Sequence, residues 1–294
     1  MKIAVARYPV GSPADFDAFA ARQRQVLGEA AAAGARIAVL PEYLSLELAA
    51  TFRRHIFSDL PASLAAIQQY RPQWLALFSA LAREFDLHVV AGSFLLDAGN
   101  GRYRNRCDWL TPDGQQLWQD ELQLTGFEKG TGLIDPGDVL KVFEVDGIRV
   151  GVAICYDSEF PLPVRRQYEA GARLLVVPSC TDTAAGATRV RIGCLARALE
   201  NRMFVAQSVT AGLAEWSPAL DVNTGQAAIY APMDVGFPAD GVLVQTAEGQ
   251  LWALAELDFA AFEARRAQAQ VANDRDWPGQ LQPALAQAVV TNVP

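Results

Sequence analysis

The chain has 294 residues, 51% of them hydrophobic and 20% charged, with a formal net charge of −8. That length holds one large domain or two ordinary ones, and the composition is that of a globular rather than a disordered chain. The negative balance argues against nucleic acid or an anionic membrane as the principal partner, because both require a basic face; its simplest meaning is solubility.

The opening residues, MKIAVARYPVGSP, read as a strand over 2–7. They lack the apolar core of a signal peptide, and no apolar run approaches the roughly 18 residues of a membrane helix. Ser12-Pro13 offers an N-cap and a first-turn proline to a helix with Phe16, Phe19, Val26, Leu27 and Ala30 on its buried stripe and Gly34 as its stop. Strand 36–40 ends at Pro41-Glu42-Tyr43. A helical stretch over 62–86 is broken by Pro72, after which Trp74, Leu77, Phe78, Leu81 and Phe85 face inward. Strands follow at 88–94, 103–110 and 116–121, and Pro112-Asp113-Gly114 makes the last two an antiparallel hairpin.

Strands at 140–145 and 148–154 flank Asp146-Gly147, the strongest short hairpin signal in the chain. Cys155 comes next, then a helix from Pro161, a strand at 173–178, a helix at 186–201 and a strand at 203–208. Strands near 227–230, 242–246 and 252–257 close the domain. With no repeat and no long Gly-, Pro- or Ser-rich linker, residues 1–270 are expected to be a single domain and 271–294, with Pro278, Pro283 and Pro294, a tail. Hairpins among βα units predict an α/β fold in which two packed sheets carry helices on both outer faces. The four cysteines are widely spaced, with no CxxC pair and no nearby histidine, which predicts reduced thiols in a cytoplasmic protein.

Chemistry gathers at two strand ends. Cys155 lies between an apolar strand and a helix, where a helix N-terminus favours thiolate and turn amides can face a developing oxyanion. A cysteine that merely closes a core strand is the commoner case, but the polar run Tyr156-Asp157-Ser158-Glu159 is odd for that role. Of the two histidines, His55 follows two arginines and His88 begins a strand, so neither is placed as a base. Glu42 is the better candidate, since a carboxylate shielded from water has a pKa raised toward neutrality; a solvated loop glutamate is the alternative. Thr181 and Asp182, just after strand 173–178 and beside Cys180 and Thr183, are expected to line the pocket, as is Trp216.

Pro41-Glu42-Tyr43, Gly151-Val-Ala-Ile-Cys155-Tyr-Asp-Ser-Glu-Phe-Pro161 and Arg197-Ala-Leu-Glu-Asn201 resemble, in order and separation, the signatures of the nitrilase superfamily of carbon–nitrogen hydrolases, and the resemblance runs from the first strand to about residue 270. It implies a four-layer α-β-β-α sandwich, assembled as a homodimer or larger homo-oligomer. It also implies hydrolysis of small linear amides, or of nitriles, through a Cys155-linked intermediate, with no metal or organic cofactor. Glu42 would be the base, and the Tyr156 backbone N–H would contribute to the oxyanion hole.

One position departs from the pattern. The family lysine that supports the oxyanion falls on Glu121, and Glu128 matches the second family glutamate. The chain's only lysines are Lys2, Lys129 and Lys141; if the chain is extended there, Lys129 points away from wherever Glu128 faces. Like charges at ~4 Å and an effective dielectric of ~20 cost about 4 kcal/mol a pair, so Glu42, Glu121 and Glu128 cannot all ionise around one thiol, whose own pKa must rise. A protonated Glu121 donating to the oxyanion would keep the site active. A silent nitrilase-fold protein that binds a small molecule or a partner is the alternative. A divalent metal held by the carboxylates and thiol is a third reading, which the absence of a site histidine disfavours.

Overall fold

The computed structural model describes residues 1–291. Strand β1 (Lys2–Pro9) leads into helix α1 (Phe16–Ala32) and β2 (Ile37–Val39). Helix α1 is capped not by Ser12 but by Asp15, whose carboxylate accepts the Ala18 N–H at 2.8 Å; Asp15 has the extended backbone an N-cap needs and sits directly before the apolar stripe. Gly34 (φ +80°) lies just past the end of α1, as a left-handed stop should. A one-turn helix α2 (Arg54–Phe57), α3 (Leu60–Ile67) and α4 (Arg71–Glu84) follow, with Pro72 in the first turn of α4, where its missing N–H costs nothing.

Strands β3 (His88–Gly99), β4 (Arg102–Leu110) and β5 (Gln116–Asp120) form an antiparallel meander, and α5 (Gly126–Thr131) comes next. The hairpin of β6 (Val142–Val145) and β7 (Ile148–Val152) turns on Asp146 and Gly147, both at positive φ, as a two-residue turn of the tightest kind requires. Helix α6 (Pro161–Glu169), β8 (Leu174–Ser179), α7 (Ala184–Asn201) and β9 (Phe204–Leu213) complete the second sheet's parallel core. Short strands β10 (Val222–Asn223), β11 (Ala228–Tyr230), β12 (Val242–Gln245) and β13 (Trp252–Glu256) then precede α8 (Phe259–Ala264) and α9 (Asn273–Asp276).

The strands run β5-β4-β3-β2-β1 and then β9-β8-β7-β6, with β13 beside β1 and β11 and β12 beyond β9. Strand β1 belongs to both halves: Ile3–Val5 pair with β2, whereas Arg7–Pro9 pair with β9. Alternation along β1 sets the layers. Ile3 and Val5 enter an apolar cluster shared with Val150, Val152 and Val176 of the opposite sheet, while Ala4, Ala6 and Tyr8 face Phe19, Leu27, Trp74 and Phe78 of α1 and α4. Helix α7 closes the other side through Val190, Cys194 and Ala198. The result is the four-layer α-β-β-α arrangement. Within the expected tail, Asp274 is buried against Tyr168 and Arg266, and its carbonyl accepts from Arg165 at 2.9 Å; residues 292–294 lie outside the described residues.

Candidate active site

The residues singled out above converge at the carboxyl ends of β2, β5, β7 and β8, where α/β sheets commonly place their chemistry. Glu42 follows β2 on a turn pressed against β3. That approach requires glycine at residue 92: a Cβ there would stand 2.0 Å from the Pro41 carbonyl oxygen, and its φ of +68° is itself unfavourable for other residues. Tyr43 takes a left-handed backbone and donates its N–H to Ser93 Oγ at 2.8 Å, which fixes the turn.

Cys155 begins a short 3₁₀ turn, Cys155–Glu159, at a positive φ of 42°. Such a conformation costs on the order of 1–3 kcal/mol in a non-glycine residue and survives only where neighbours enforce it. Here they do. Ser158 Oγ donates to the Cys155 carbonyl at 2.6 Å, and buried Arg197 of α7 donates to the Ser158 carbonyl at 3.1 Å. Gly193 lets α7 close on this turn, since a Cβ there would meet the Ser158 carbonyl oxygen at 2.8 Å. Arg197, which carried only resemblance in the sequence, thus holds up the cysteine turn.

The thiol lies within hydrogen-bonding reach of Glu42 and 3.6 Å from the Cys180 carbonyl oxygen. Glu42 is buried, and burial first, then the Glu128 charge, pushes its pKa well above the usual carboxylate range. Burial, then Glu42, likewise pushes the Cys155 thiol well above its ordinary value. The thiolate-favouring effect expected of the turn is therefore outweighed, and the resting pair is a thiol beside an unusually basic carboxyl.

Glu121 and Glu128 join Glu42, each offering a carboxylate oxygen within 4.8 Å of the others. Asn105 of β4 bridges two of them, its Nδ2 donating to Glu42 Oε1 at 2.8 Å and to Glu121 Oε2 at 3.0 Å. The sequence reading missed Asn105; its signal was a polar residue in the buried register Tyr103-Asn105-Cys107. Glu128 accepts from Tyr43 Oη at 2.6 Å and from the Thr125 N–H and hydroxyl at 2.8 and 2.9 Å. Glu121 is wholly buried, and burial, then the charges of Glu128 and Glu42, raise its pKa well above the carboxylate range. Among the described residues its Oε1 meets no donor, which a proton on that oxygen resolves by making it a donor toward Glu128. A divalent cation could bridge such a spacing, but Glu128 already accepts three hydrogen bonds from Tyr43 and Thr125 and no histidine adjoins the set, so the three carboxyls suit a proton better.

The lysines lie elsewhere. Lys2 Nζ donates to the Ala33 carbonyl at 2.9 Å, Lys141 stacks on Trp118, and Lys129 is exposed. Lys129 and Glu128 do diverge, though not through extended alternation: both belong to α5, whose N-terminus is the reciprocal Thr125–Glu128 capping box, and one residue turns the side chain about 100° around a helix. His88 pairs with Asp146 at 3.4 Å and His55 sits on α2, both among the groups outside this cluster.

A cavity of about 540 Å³ opens above the thiol, lined in part by Glu42, Tyr156, Thr181 and Asp182. Glu121 and Glu128 lie beneath its floor rather than on its wall. Trp216 packs edge-on against Phe57, and Pro218 and Ala219 take the wall position expected of it. Asp157 is buried under the site. Its carboxylate accepts from the N–H groups of Leu122, Gln123 and Ile154 at 2.8–3.2 Å, so it ties the segment after Glu121 to the strand end before Cys155.

An α-β-β-α sandwich with a buried cysteine and glutamate at its strand ends is the arrangement that the carbon–nitrogen hydrolase signatures in the sequence anticipate. The carbon-nitrogen hydrolase family model matches residues 2–235, and the chain belongs to that family. It is 29% identical over 248 residues to the probable hydrolase YhcX of Bacillus subtilis, a match that takes in 84% of this chain but only 47% of that protein. It is 25% identical over 243 residues to the omega-amidase NIT2 of Danio rerio, covering 74% of this chain and 83% of the relative. Among solved structures, Saccharomyces cerevisiae Nit3, a member of branch 10 of the nitrilase superfamily, superposes with a TM-score of 0.71 at 20% identity over 94% of this chain and 96% of its own. An amidase from Nesterenkonia sp. gives 0.69 at 22% identity over 94% and 96%. These two likenesses establish the fold.

Proposed function

We propose that the protein hydrolyses a non-peptide carbon–nitrogen bond, that of a small amide or a nitrile, through a thioester on Cys155 with Glu42 as general base. The observation that carries this reading is the buried thiol–carboxyl contact at the floor of a cavity. For an amide, Glu42 takes the thiol proton as sulfur attacks the carbonyl carbon, and the oxyanion forms toward the Tyr156 backbone N–H. Collapse breaks the C–N bond, and Glu42 returns its proton to the departing nitrogen, which leaves as ammonia. Glu42 then takes a proton from water, whose oxygen attacks the thioester; the acid departs and the thiol is restored. A carboxyl held by burial above the usual carboxylate range is a stronger base than an ordinary one and can carry a proton both ways.

Cys155→Ala is expected to abolish turnover with the fold intact, and Glu42→Gln to be nearly as damaging. A Cys155→Ala protein that keeps most of its activity on a good amide would sink the assignment, and a His88→Asn loss beside an active Glu42→Gln would overturn the base. A thiol reagent should modify Cys155 ahead of Cys107, Cys180 and Cys194. The carboxyl at position 121 supports a second reading, a silent scaffold that binds without turning over; silence of both the native chain and Glu121→Lys on a broad amide and nitrile panel favours it. We also propose self-association as a homodimer or larger assembly, supported by the family pattern and by Leu162 and Ile192, 59% and 56% exposed on the adjacent helices α6 and α7. Four free cysteines support a cytoplasmic setting, and among the described residues no helix is long and apolar enough to cross a membrane.

A further inference from the structure

The cavity above Cys155 carries charge that the hydrolytic steps do not use. Its volume of about 540 Å³ falls in the range of pockets that enclose most of a drug-sized ligand rather than a reacting group alone. Four lining residues are acidic, Glu42, Glu159, Asp182 and Asp221, against a single base, Arg189. Glu42 belongs to the chemistry, and Arg189 is drawn to Glu159, Nε to Oε1, at 3.7 Å. Asp182 and Asp221 remain, exposed on the wall and without an ion-pair partner among the described residues. A separate feature faces the same space: Phe127 lines the cavity with 51% of its surface exposed. A cavity that holds an exposed aromatic ring and two unpaired carboxylates offers the chemistry that recognises an organic cation, charge-assisted hydrogen bonds from the carboxylates and a ring face from the aromatic.

We propose that the substrate is a cationic amide, with an ammonium or guanidinium group at the end remote from the scissile bond. The charged end sits by Asp182, Asp221 and Phe127 while the carboxamide reaches Cys155. The inference rests on the hydrolase reading for what happens to the amide, but not for which charge the cavity admits. An anionic tail would meet two uncompensated carboxylates and would have to draw Arg189 away from Glu159, and like-charge placement of that kind is how sites reject wrong ligands.

The test uses three amides of one length that differ only at the far end: 6-aminohexanamide, hexanamide and the monoamide of adipic acid. The cationic amide should exceed the neutral one in kcat/KM by about tenfold, the value of one charge-assisted contact, mostly through KM. The anionic amide should be poorest, and the spread should narrow with added salt. Asp182→Asn and Asp221→Asn should each shrink the ratio of cationic to neutral kcat/KM. Calorimetry on the Cys155→Ala protein reads the same preference without chemistry. A cation preferred in binding but never hydrolysed by the native chain refutes the hydrolase reading and leaves this inference standing. Hydrolysis or binding without charge preference, a preference for the anion, or binding of none of the three overturns it.

Discussion

Glu121 occupies a place between Glu42 and Glu128 where a cation would neutralise both, and it brings a third carboxyl instead. Mutual repulsion of about 4 kcal/mol per close pair is relieved most cheaply by leaving one group protonated, and Glu121 is the one of the three with an oxygen that has no hydrogen-bond partner among the described residues. A carboxyl carrying its proton can serve the oxyanion, as a buried acid does in unrelated enzymes, provided the developing charge draws that proton away from Glu128. Activity is therefore expected to fall as pH rises through the raised pKa of Glu121, and Glu121→Gln, which cannot ionise, should flatten that alkaline limb. Glu121→Lys should raise turnover by about 10², the usual worth of one oxyanion donor; an unchanged rate would remove Glu121 from the chemistry. At the same scale Asp157→Ala leaves three backbone N–H groups without an acceptor. It should cost about 1–3 kcal/mol in urea unfolding and lower kcat more than it raises KM, because it loosens the geometry between Cys155 and Glu121 rather than substrate contacts.

At the scale of elements, glycines set how closely the catalytic turns approach their neighbours. Gly92→Ala should be expensive, because the new methyl group would collide with backbone rather than with a flexible side chain, and the positive φ adds to the strain. We expect a loss of about 1–3 kcal/mol or more in denaturant unfolding, with a fall in kcat/KM as the Glu42 turn is pushed outward. Much of this framework was legible beforehand. Strand-length runs around the Pro112-Asp113-Gly114 turn marked β3 to β5, and Asp146-Gly147 located the β6–β7 hairpin, because both signals are local. The run Leu44–Thr51 was not foreseen: residues 44–49 are buried on every side, so no period betrays the 3₁₀ helix they form. Helix α5 was legible in principle, through Thr125 and Glu128 three residues apart, but a catalytic-looking glutamate drew attention from its capping role. Cys155 and Glu42 were found because each sits at a strand end; Asn105 escaped because its partners lie 63 and 16 residues away and no local pattern announces them.

For the molecule as a whole, burial of carboxyls gives stability an unusual dependence on pH. Glu42 and Glu121 both hold protons in the folded state above the ordinary carboxylate range, burial being the leading cause for each. Asp157 behaves likewise, raised from 3.8 to about 7 chiefly by burial, against the pull of its backbone donors. Between the unfolded and folded pKa values the native state binds more protons than the unfolded one, so stability declines as pH rises through that window. The midpoint of thermal unfolding is expected to be higher near about pH 6 than near about pH 8, and a profile that rises over this interval would contradict the raised values. Sedimentation at micromolar concentration should give a dimer or larger species; a stable monomer would count against the assembly, and Ile192→Glu is expected to shift the distribution toward monomer.

Strand β1 has a consequence for how the chain reaches this state. It is the seam of the fold, yet Lys2 pairs with Glu256 and Val5 with Ala253, and its other half waits for Val209–Ala211. A ribosome delivers the first strand long before these partners, and closing loops of such length is slow. The two halves of the sandwich can collapse separately around their own hairpins, but the seam joins only after residue 211 has emerged and is flanked by β13 only after residue 256. Until then β1 has open edges and apolar faces, the kind of surface that exposes a partly made chain to aggregation and ties its yield to how long that interval lasts.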